Sequence, residues 1–332
     1  MMLCLQVFLG VLSLLSVGAP AVAALRESPR TGAARVATTP RSSDGRRSYG
    51  PAREAHVRVE AATVLVPVQV TNASGAPVTG LTRADFRVYE DGAEQSVTYF
   101  ATDDAPVSVG LLFDSSASMK DKKTRSAEAA AEFFNTANPD DEFFLVEFDE
   151  KPRLRVPFTS DTVALLGQIR RTHPFGRTSL FDAIHLALGE MRHARHQRRA
   201  LVILSDGGDN RSRRTFSEVR RDVLESDLEI YAMGVFDREG EKPDSREEAN
   251  GPGVLSGLAE LTGGRLFPVK LADLPATSAT ISKLLRDEYL LGYSPTNATA
   301  AGKYRSIKVK LDAPMEDHVF LRFRKGYYAS DH

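Results

Sequence analysis

Residues 108–118, SVGLLFDSSAS, join a continuous apolar run to a cluster of short oxygen-bearing side chains. An apolar run without polar alternation suits a strand buried on both faces, and such strands belong to parallel sheets covered by helices. Where the chain leaves such a strand nearly extended, residues two apart present their side chains to one side. Asp114, Ser116 and Ser118 would then offer three oxygens to one point.

Outward from this stretch the rhythm is strand–helix–strand. An Ala-rich helix is expected over 119–137, with Ala127, Ala130, Ala131 and Phe134 on one face. A strand follows at 142–148, with 153–158 beside it as an edge. Helices are expected at 161–171, 179–197, 216–226, near 253–261 and near 274–286. Strands are expected at 200–206 (ALVILSD), 228–236 and around 265–268. This alternation predicts an α/β domain over 105–287, a mainly parallel sheet with helices on both faces.

The flanks read as β structure. Val64, Val66, Val68 and Val70 alternate at period two, and Asp91-Gly92 follows a short strand around Phe86 to Tyr89 as a hairpin turn. Residues 56–101 therefore form an N-terminal β unit. In the tail, Tyr289 to Tyr293 is extended, and two further alternating runs carry Ile307, Val309, Leu311 and Val319, Leu321, Phe323. The expectation is that residues 288–330 pair with 56–101 as an accessory β-sandwich-like module.

Residues 1–25 carry no charge, and an apolar run to Val17 precedes Ala21-Val22-Ala23. That pattern predicts a signal peptide over 1–23, with an uncleaved anchor as the alternative. Residues 24–55 are rich in Arg, Ser, Gly, Ala and Pro without apolar periodicity, which predicts a disordered linker. A secreted, periplasmic or cell-envelope location follows. With Cys4 as the single cysteine, neither a disulfide framework nor a thiolate zinc cluster can form. Lys and Arg number 43 against 44 Asp and Glu, so there is no gross attraction to nucleic acid.

Two further segments belong with Asp114-Ser115-Ser116-Ala117-Ser118. Gly176-Arg177-Thr178 presents a threonine where a helix starts, and Ser205-Asp206-Gly207-Gly208 ends the strand 200–206. Parallel sheets place such loops on one edge, and ligands bind outside the carboxyl ends of the strands at a switch in strand order. Oxygen-only donors without His or Cys suit a hard cation, Mg²⁺ above all, with Mn²⁺ and Ca²⁺ as alternatives. Two carboxylates and three hydroxyls leave at least one position open for an incoming carboxylate.

The order D-x-S-x-S, Gly-x-Thr, S-D-G resembles the metal-ion-dependent adhesion site of von Willebrand factor A domains over roughly residues 105–270. The flanking pieces LTRADFRVYEDG (81–92), YLLGYSP (289–295) and KGYYA (325–329) resemble the bacterial VWFA-related proteins predicted in Acidobacteria. The resemblance implies a Rossmann-like, doubly wound sheet of strand order 3-2-1-4-5-6. It implies Asp114, Ser116, Ser118, Thr178 and Asp206 as metal-site residues, and a protein partner that presents an acidic residue to the ion. Ala117 departs from the glycine of many relatives, and Ala is poor at positive φ.

The leading expectation is a non-enzymatic adhesion or protein-interaction module. The alternatives are a metal-dependent hydrolase, with Asp149 or Asp182 as its titratable group, and a structural envelope scaffold. No G-x-S-x-G elbow or phosphate-binding loop is present. Arg192, Arg195 and Arg199 would share a face at the end of helix 179–197, complementing the helix dipole. Two loops should flank the metal site. One carries Asp209 to Arg214, with arginines that could steer an acidic partner. The other is a long polar loop over 237–253.

Overall fold

The computed structural model describes residues 63–102, 105–236, 246–296, 302–312 and 318–329. The segments read as signal peptide and linker lie outside the described residues.

The described residues open with β1 (Val64–Asn72), whose Val66, Val68 and Val70 are buried. β2 (Phe86–Glu90) returns as β3 (Ala93–Gln95) through Asp91 and Gly92, at φ 48° and 84°. Positive φ at both central residues is what a tight two-residue hairpin of this hand requires. β4 (Val97–Ala101) follows.

The α/β part begins with β5 (Val107–Asp114), buried at every position. It continues through α1 (Lys123–Asn135), β6 (Glu142–Phe148), β7 (Pro152–Thr159), α2 (Thr162–Arg171) and α3 (Leu180–Glu190). Then come β8 (Arg198–Ser205), α4 (Phe216–Glu225), β9 (Glu229–Gly234), α5 (Arg246–Thr262), β10 (Leu266–Pro268) and α6 (Leu274–Leu284). Six of these strands form one sheet in the order β10-β9-β8-β5-β6-β7. Only β7 runs antiparallel. Counted from β5, this is the expected order 3-2-1-4-5-6.

Alternate residues of β5 serve two cores. Val109, Leu111 and Phe113 face α1, α2 and α6, meeting Ala129, Phe133, Leu165 and Ile281. Leu112 faces α3, α4 and α5, meeting Ile184, Val223 and Leu258. Helices leave β5 to one side through α1 and approach β8 from the other through α3. The ends of β5 and β8 therefore border the crevice where a doubly wound sheet binds ligands.

Two expected helices and one expected loop need correction. α1 starts at Lys123 because residues Ala117–Lys122 wind as a 3-10 turn. Its inward stripe is Ser126, Ala129, Ala130, Phe133 and Phe134, with Ala127 and Ala131 at the margin. Both phenylalanines reach Phe143 edge-on, and burying two rings decides the rotation.

The helix expected over 179–197 ends at Glu190, with a 3-10 turn at Met191–His193. Arg198 and Arg199 already belong to β8, so the shared arginine face does not exist. Arg195 is drawn away by buried Glu142, donating through Nε and its backbone N–H at 2.6 and 2.7 Å.

The expected polar loop over 237–253 does not hold for its second half. Residues 237–245 lie outside the described residues, and 246–253 form the start of α5. Gly251 explains the placement: a Cβ there would lie 2.3 Å from the carbonyl oxygen of Asp206. Only a glycine lets the helix approach the strand end so closely.

The segments flanking the α/β part close a β-sandwich. β11 (Tyr289–Tyr293) pairs antiparallel with β1 and β4, and β13 (Val319–Phe323) pairs with β1. β12 (Tyr304–Leu311) pairs with β2 and with β14 (Gly326–Tyr328). The sheets β13-β1-β11-β4 and β14-β12-β2-β3 share a core of Val66, Val68, Val88, Leu291, Ile307 and Val309, among others. The period-two alternation in both segments supplies these inward residues. The buried Glu90 carboxylate inside this module takes Arg305, Tyr293 Oη at 2.7 Å and Tyr327 Oη at 2.8 Å.

Among the described residues no helix is long and apolar enough to cross a membrane.

Candidate metal centre

Asp114 is the last residue of β5 and is fully buried. Its Oδ1 accepts the backbone N–H of Ser116 at 2.9 Å, and its Oδ2 accepts the Ser205 hydroxyl at 2.5 Å. Burial, and then the charge of Asp206 across the crevice, push its carboxyl up to about 7, against the hydrogen bonds that lower it.

Ser116 leaves the strand extended, at φ −69° and ψ 166°. The chain then coils into the 3-10 turn, so Ser118 does not sit on an extended segment. The tight turn nevertheless brings it back: Ser116 and Ser118 Oγ lie 3.0 Å apart. Ala117 opens that turn and is not among the residues at positive φ, so the absence of glycine strains nothing. Its N–H donates to the Gly176 carbonyl at 3.0 Å, while Phe175 N–H donates to Ser115 O at 2.8 Å. Two backbone bonds thus clamp the second loop against the first.

That second loop turns at Gly176, at φ 74°, and delivers Thr178. Thr178 is 4% exposed. Its N–H donates to Asn210 Oδ1 at 3.0 Å, and its carbonyl accepts the N–H groups of Asn210 and Arg211 at 3.1 and 3.0 Å. Its backbone is therefore fully engaged, and among the described residues its hydroxyl has no hydrogen-bond partner.

Asp206 follows β8, where Gly207 turns the chain at φ 78°. Its Oδ1 accepts Gly208 N–H at 3.3 Å and its Oδ2 lies 3.8 Å from Lys122 Nζ. Lys122 is 6% exposed and donates to Val235 O at 2.7 Å. A buried lysine here balances one carboxylate of the pair and leaves the other without a counter-charge. Burying an uncompensated carboxylate is costly.

The donor set fits a hard cation. Two carboxylates, two mutually bonded serine hydroxyls and an unpartnered threonine hydroxyl are all oxygen donors. Among the described residues no group of three or more His, Cys, Asp and Glu is gathered anywhere.

Asp149 and Asp182 are occupied elsewhere. Asp149 accepts Lys151 N–H at 3.1 Å and Arg153 Nη1 at 2.9 Å. Asp182 accepts the N–H groups of Arg213 and Arg214, both at 3.1 Å.

Three supporting roles were not read from the sequence, although Ser205 and Asp209 lie in segments it marked. Ser205 links the two aspartate-bearing strands. Lys122 is one of three lysines in the run Lys120 to Lys123, and nothing local distinguishes the buried one. Asp209 caps the start of α3: its Oδ2 accepts Phe181 N–H at 2.9 Å and Ser212 Oγ at 2.6 Å. Burial raises its carboxyl above the ordinary value despite these bonds.

Residues 109–208 match the family of the von Willebrand factor type A domain. The fold is similar to solved structures of low identity. An aerotolerance-related membrane protein from Bacteroides fragilis is 17% identical at a TM-score of 0.45, over 54% of this chain and 98% of that one. The vWF domain of the type V pili tip protein Mfa5 from Porphyromonas gingivalis is 15% identical at 0.44, over 55% and 95%. A von Willebrand factor type A protein from Catenulispora acidiphila is 14% identical at 0.47, over 74% and 73%. No curated protein matches the chain.

Proposed function

Because the chain carries a von Willebrand factor type A domain in residues 109–208, we propose that it is a secreted or envelope-associated adhesion module that grips a partner protein through a divalent cation. Asp114, Ser116, Ser118, Thr178 and Asp206 hold the ion. A carboxylate of the partner is its further ligand. When bound, the cation supplies a fixed positive charge, of the kind an acidic side chain recognises. Mg²⁺ suits the all-oxygen donors best, with Mn²⁺ and Ca²⁺ as competitors.

The observation that carries this reading is the clamping of the two loops at the switch point. Backbone bonds pin the Ser116 and Thr178 segments together, and both aspartates end neighbouring strands of the sheet. The residues are thereby set before any ligand arrives, and a preorganised site binds with less ordering cost.

The hydrolase alternative lacks such support. It needs a base free to meet a water beside the ion, and Asp149 and Asp182 are both held by backbone N–H groups. The reading is therefore of a binding protein. A scaffold role for the sandwich has no observation in its favour beyond the fold itself. The extracytoplasmic location rests on the apolar, uncharged residues 1–25.

Calorimetric titration with MgCl₂ and MnCl₂ tests the site. One equivalent of cation should bind to the wild type, with heat lost in Asp114→Ala and Asp206→Ala variants that retain their circular dichroism. No binding by the wild type at millimolar cation would overturn the assignment. An affinity purification in Mg²⁺ and in EDTA then tests the bridge. A partner held equally in both conditions would contradict metal-bridged adhesion.

A further inference from the structure

Beside the candidate metal centre lies a cavity of about 600 Å³ lined by Glu150, Lys151, Pro152, Asp182, Arg211 and Arg213. Its charges are of two kinds. Of its two acids, Asp182 accepts two backbone N–H groups, whereas the exposed Glu150 carboxylate has no hydrogen-bond or ion-pair partner among the described residues and its Cγ lies beneath Gly176, 2.7 Å from where a Cβ would stand. Among the described residues no carboxylate pairs with the side chains of Lys151, Arg211 or Arg213, and all three are exposed.

The neighbouring pairs make these unpaired cations informative. Arg153 has Asp149 and Arg214 has Asp222, at 2.9 and 3.5 Å, so nearby arginines do find acids when the fold provides them. The chain as a whole is almost neutral, with 43 Lys and Arg against 44 Asp and Glu, so the excess of three cations over two acids in this lining is local. Arg177, also exposed and unpaired among the described residues, directly precedes Thr178.

The group is tied to the site. The Arg211 N–H donates to the carbonyl of Thr178, so the loop carrying these arginines is anchored on a proposed metal-site residue. Phe175, on the loop clamped to Ser115, is 71% exposed. An exposed ring two residues from an unpaired arginine, Arg177, matches the enrichment of aromatic and arginine side chains at interfaces.

We infer that Lys151, Arg211 and Arg213 form a second, metal-independent subsite for an acidic protein segment, which sets one carboxylate on the ion and further carboxylates in this cavity. The inference rests on the adhesion reading above and names the partner's chemistry: an acidic run, not a single isolated acid. Arginine suits the role, because its planar fork takes a carboxylate through two parallel hydrogen bonds.

The test uses the full-length protein and fluorescence anisotropy with two labelled peptides in MgCl₂. One is a hexapeptide of alternating Asp and Glu. The other retains a single Asp, with Asn and Gln elsewhere. The acidic peptide should bind at least tenfold tighter, and rising NaCl should shrink the difference. Arg211→Ala combined with Arg213→Ala should abolish the preference and leave cation binding by calorimetry intact. A preference that survives in this double variant overturns the inference and leaves the adhesion reading standing. Binding of the acidic peptide that persists in EDTA, but is lost in the double variant, supports the subsite and overturns the metal bridge. Single-stranded DNA of equal charge that binds as tightly as the peptide also overturns the inference, since the surface would then be a nonspecific polyanion site.

Discussion

Ser205 Oγ donates to Asp114 Oδ2 at 2.5 Å, joining the end of β8 to the end of β5 at the mouth of the crevice. The same oxygen accepts Gly207 N–H at 2.9 Å, so one hydroxyl also sets the turn that carries Asp206. Ser205→Ala removes both bonds and leaves buried Asp114 less well satisfied. The expected cost is about 1–3 kcal/mol in urea denaturation. Weaker Mg²⁺ binding should accompany it, since the aspartates lose their shared brace. Unchanged stability would show that the hydroxyl is replaceable by water.

Gly251 touches the Asp206 carbonyl from α5, and Gly207 faces Gly251 in return, with a Cβ on Gly207 falling 2.6 Å from the Gly251 carbonyl oxygen. Gly251→Ala should therefore destabilise the protein by about 1–3 kcal/mol through overpacking against backbone. In an open helix the same change would stabilise by up to about 1 kcal/mol. The sign of the shift in denaturation midpoint separates the two cases. Gly253, in the same helix and with nothing within 4 Å of its Cβ position, is the control.

Glu229 and Glu288 are buried together, 1% and 2% exposed, where β9 begins and just before β11. Tyr231 Oη donates to Glu229 at 3.1 Å, Gln69 of β1 donates to Tyr231, and Arg198 Nη2 donates to the Glu288 carbonyl at 3.1 Å. Burial, and then the neighbouring carboxyl, hold Glu229 well above the ordinary 4.5, and burial raises Glu288 as well. A carboxyl raised in the fold contributes stability that is fully present below its unfolded pKa and is lost as pH climbs through the folded value. Stability should thus fall from about pH 4.5 upward, with a slope near 1.4 kcal/mol per pH unit for each retained proton. Glu229→Gln should flatten that slope between pH 5 and 8. Parallel curves for wild type and variant would contradict the pairing.

Ending the chain at Thr296 removes β12, β13 and β14, and so removes a partner from both β1 and β2. The truncated protein should expose residues 63–101 to limited proteolysis, while fragments of the α/β part persist longer. Protection of 63–101 equal to that of the full chain would mean that β11 alone suffices to hold them.

Divalent cation should raise the melting temperature. A ligand present at a hundredfold its Kd stabilises the fold by about 2.7 kcal/mol. Scanning calorimetry with 10 mM MgCl₂ against EDTA reads this, and Asp206→Ala should abolish the difference. An equal shift in that variant would place the bound ion elsewhere.

Much of this was legible in the chain because it rests on local rules. The unbroken apolar run before Asp114 specifies a strand buried on both faces. The alternation in Val64 to Val70 and in Ile307 to Leu311 specifies one-sided strands, and Asp91-Gly92 specifies the hairpin between β2 and β3. The spacing of Asp114, Ser116 and Ser118, with Thr178 and Asp206 at later loop positions, marked the candidate site residues. Those readings need only side-chain period and turn chemistry.

What only the tertiary structure decided depends on which surfaces meet. Phe133 and Phe134 turned α1 by their contact with Phe143. Glu142, buried at the start of β6, took Arg195 and with it the expected end of α3. Gly251 let α5 begin early against the Asp206 turn. Lys122 became the buried cation beside Asp206, although Lys120 and Lys123 are its equals in sequence. Each outcome is a desolvation or packing requirement imposed by a residue distant in the chain. A local pattern specifies an element and its apolar side, whereas the partner of a buried charge exists only once the strands and helices have met.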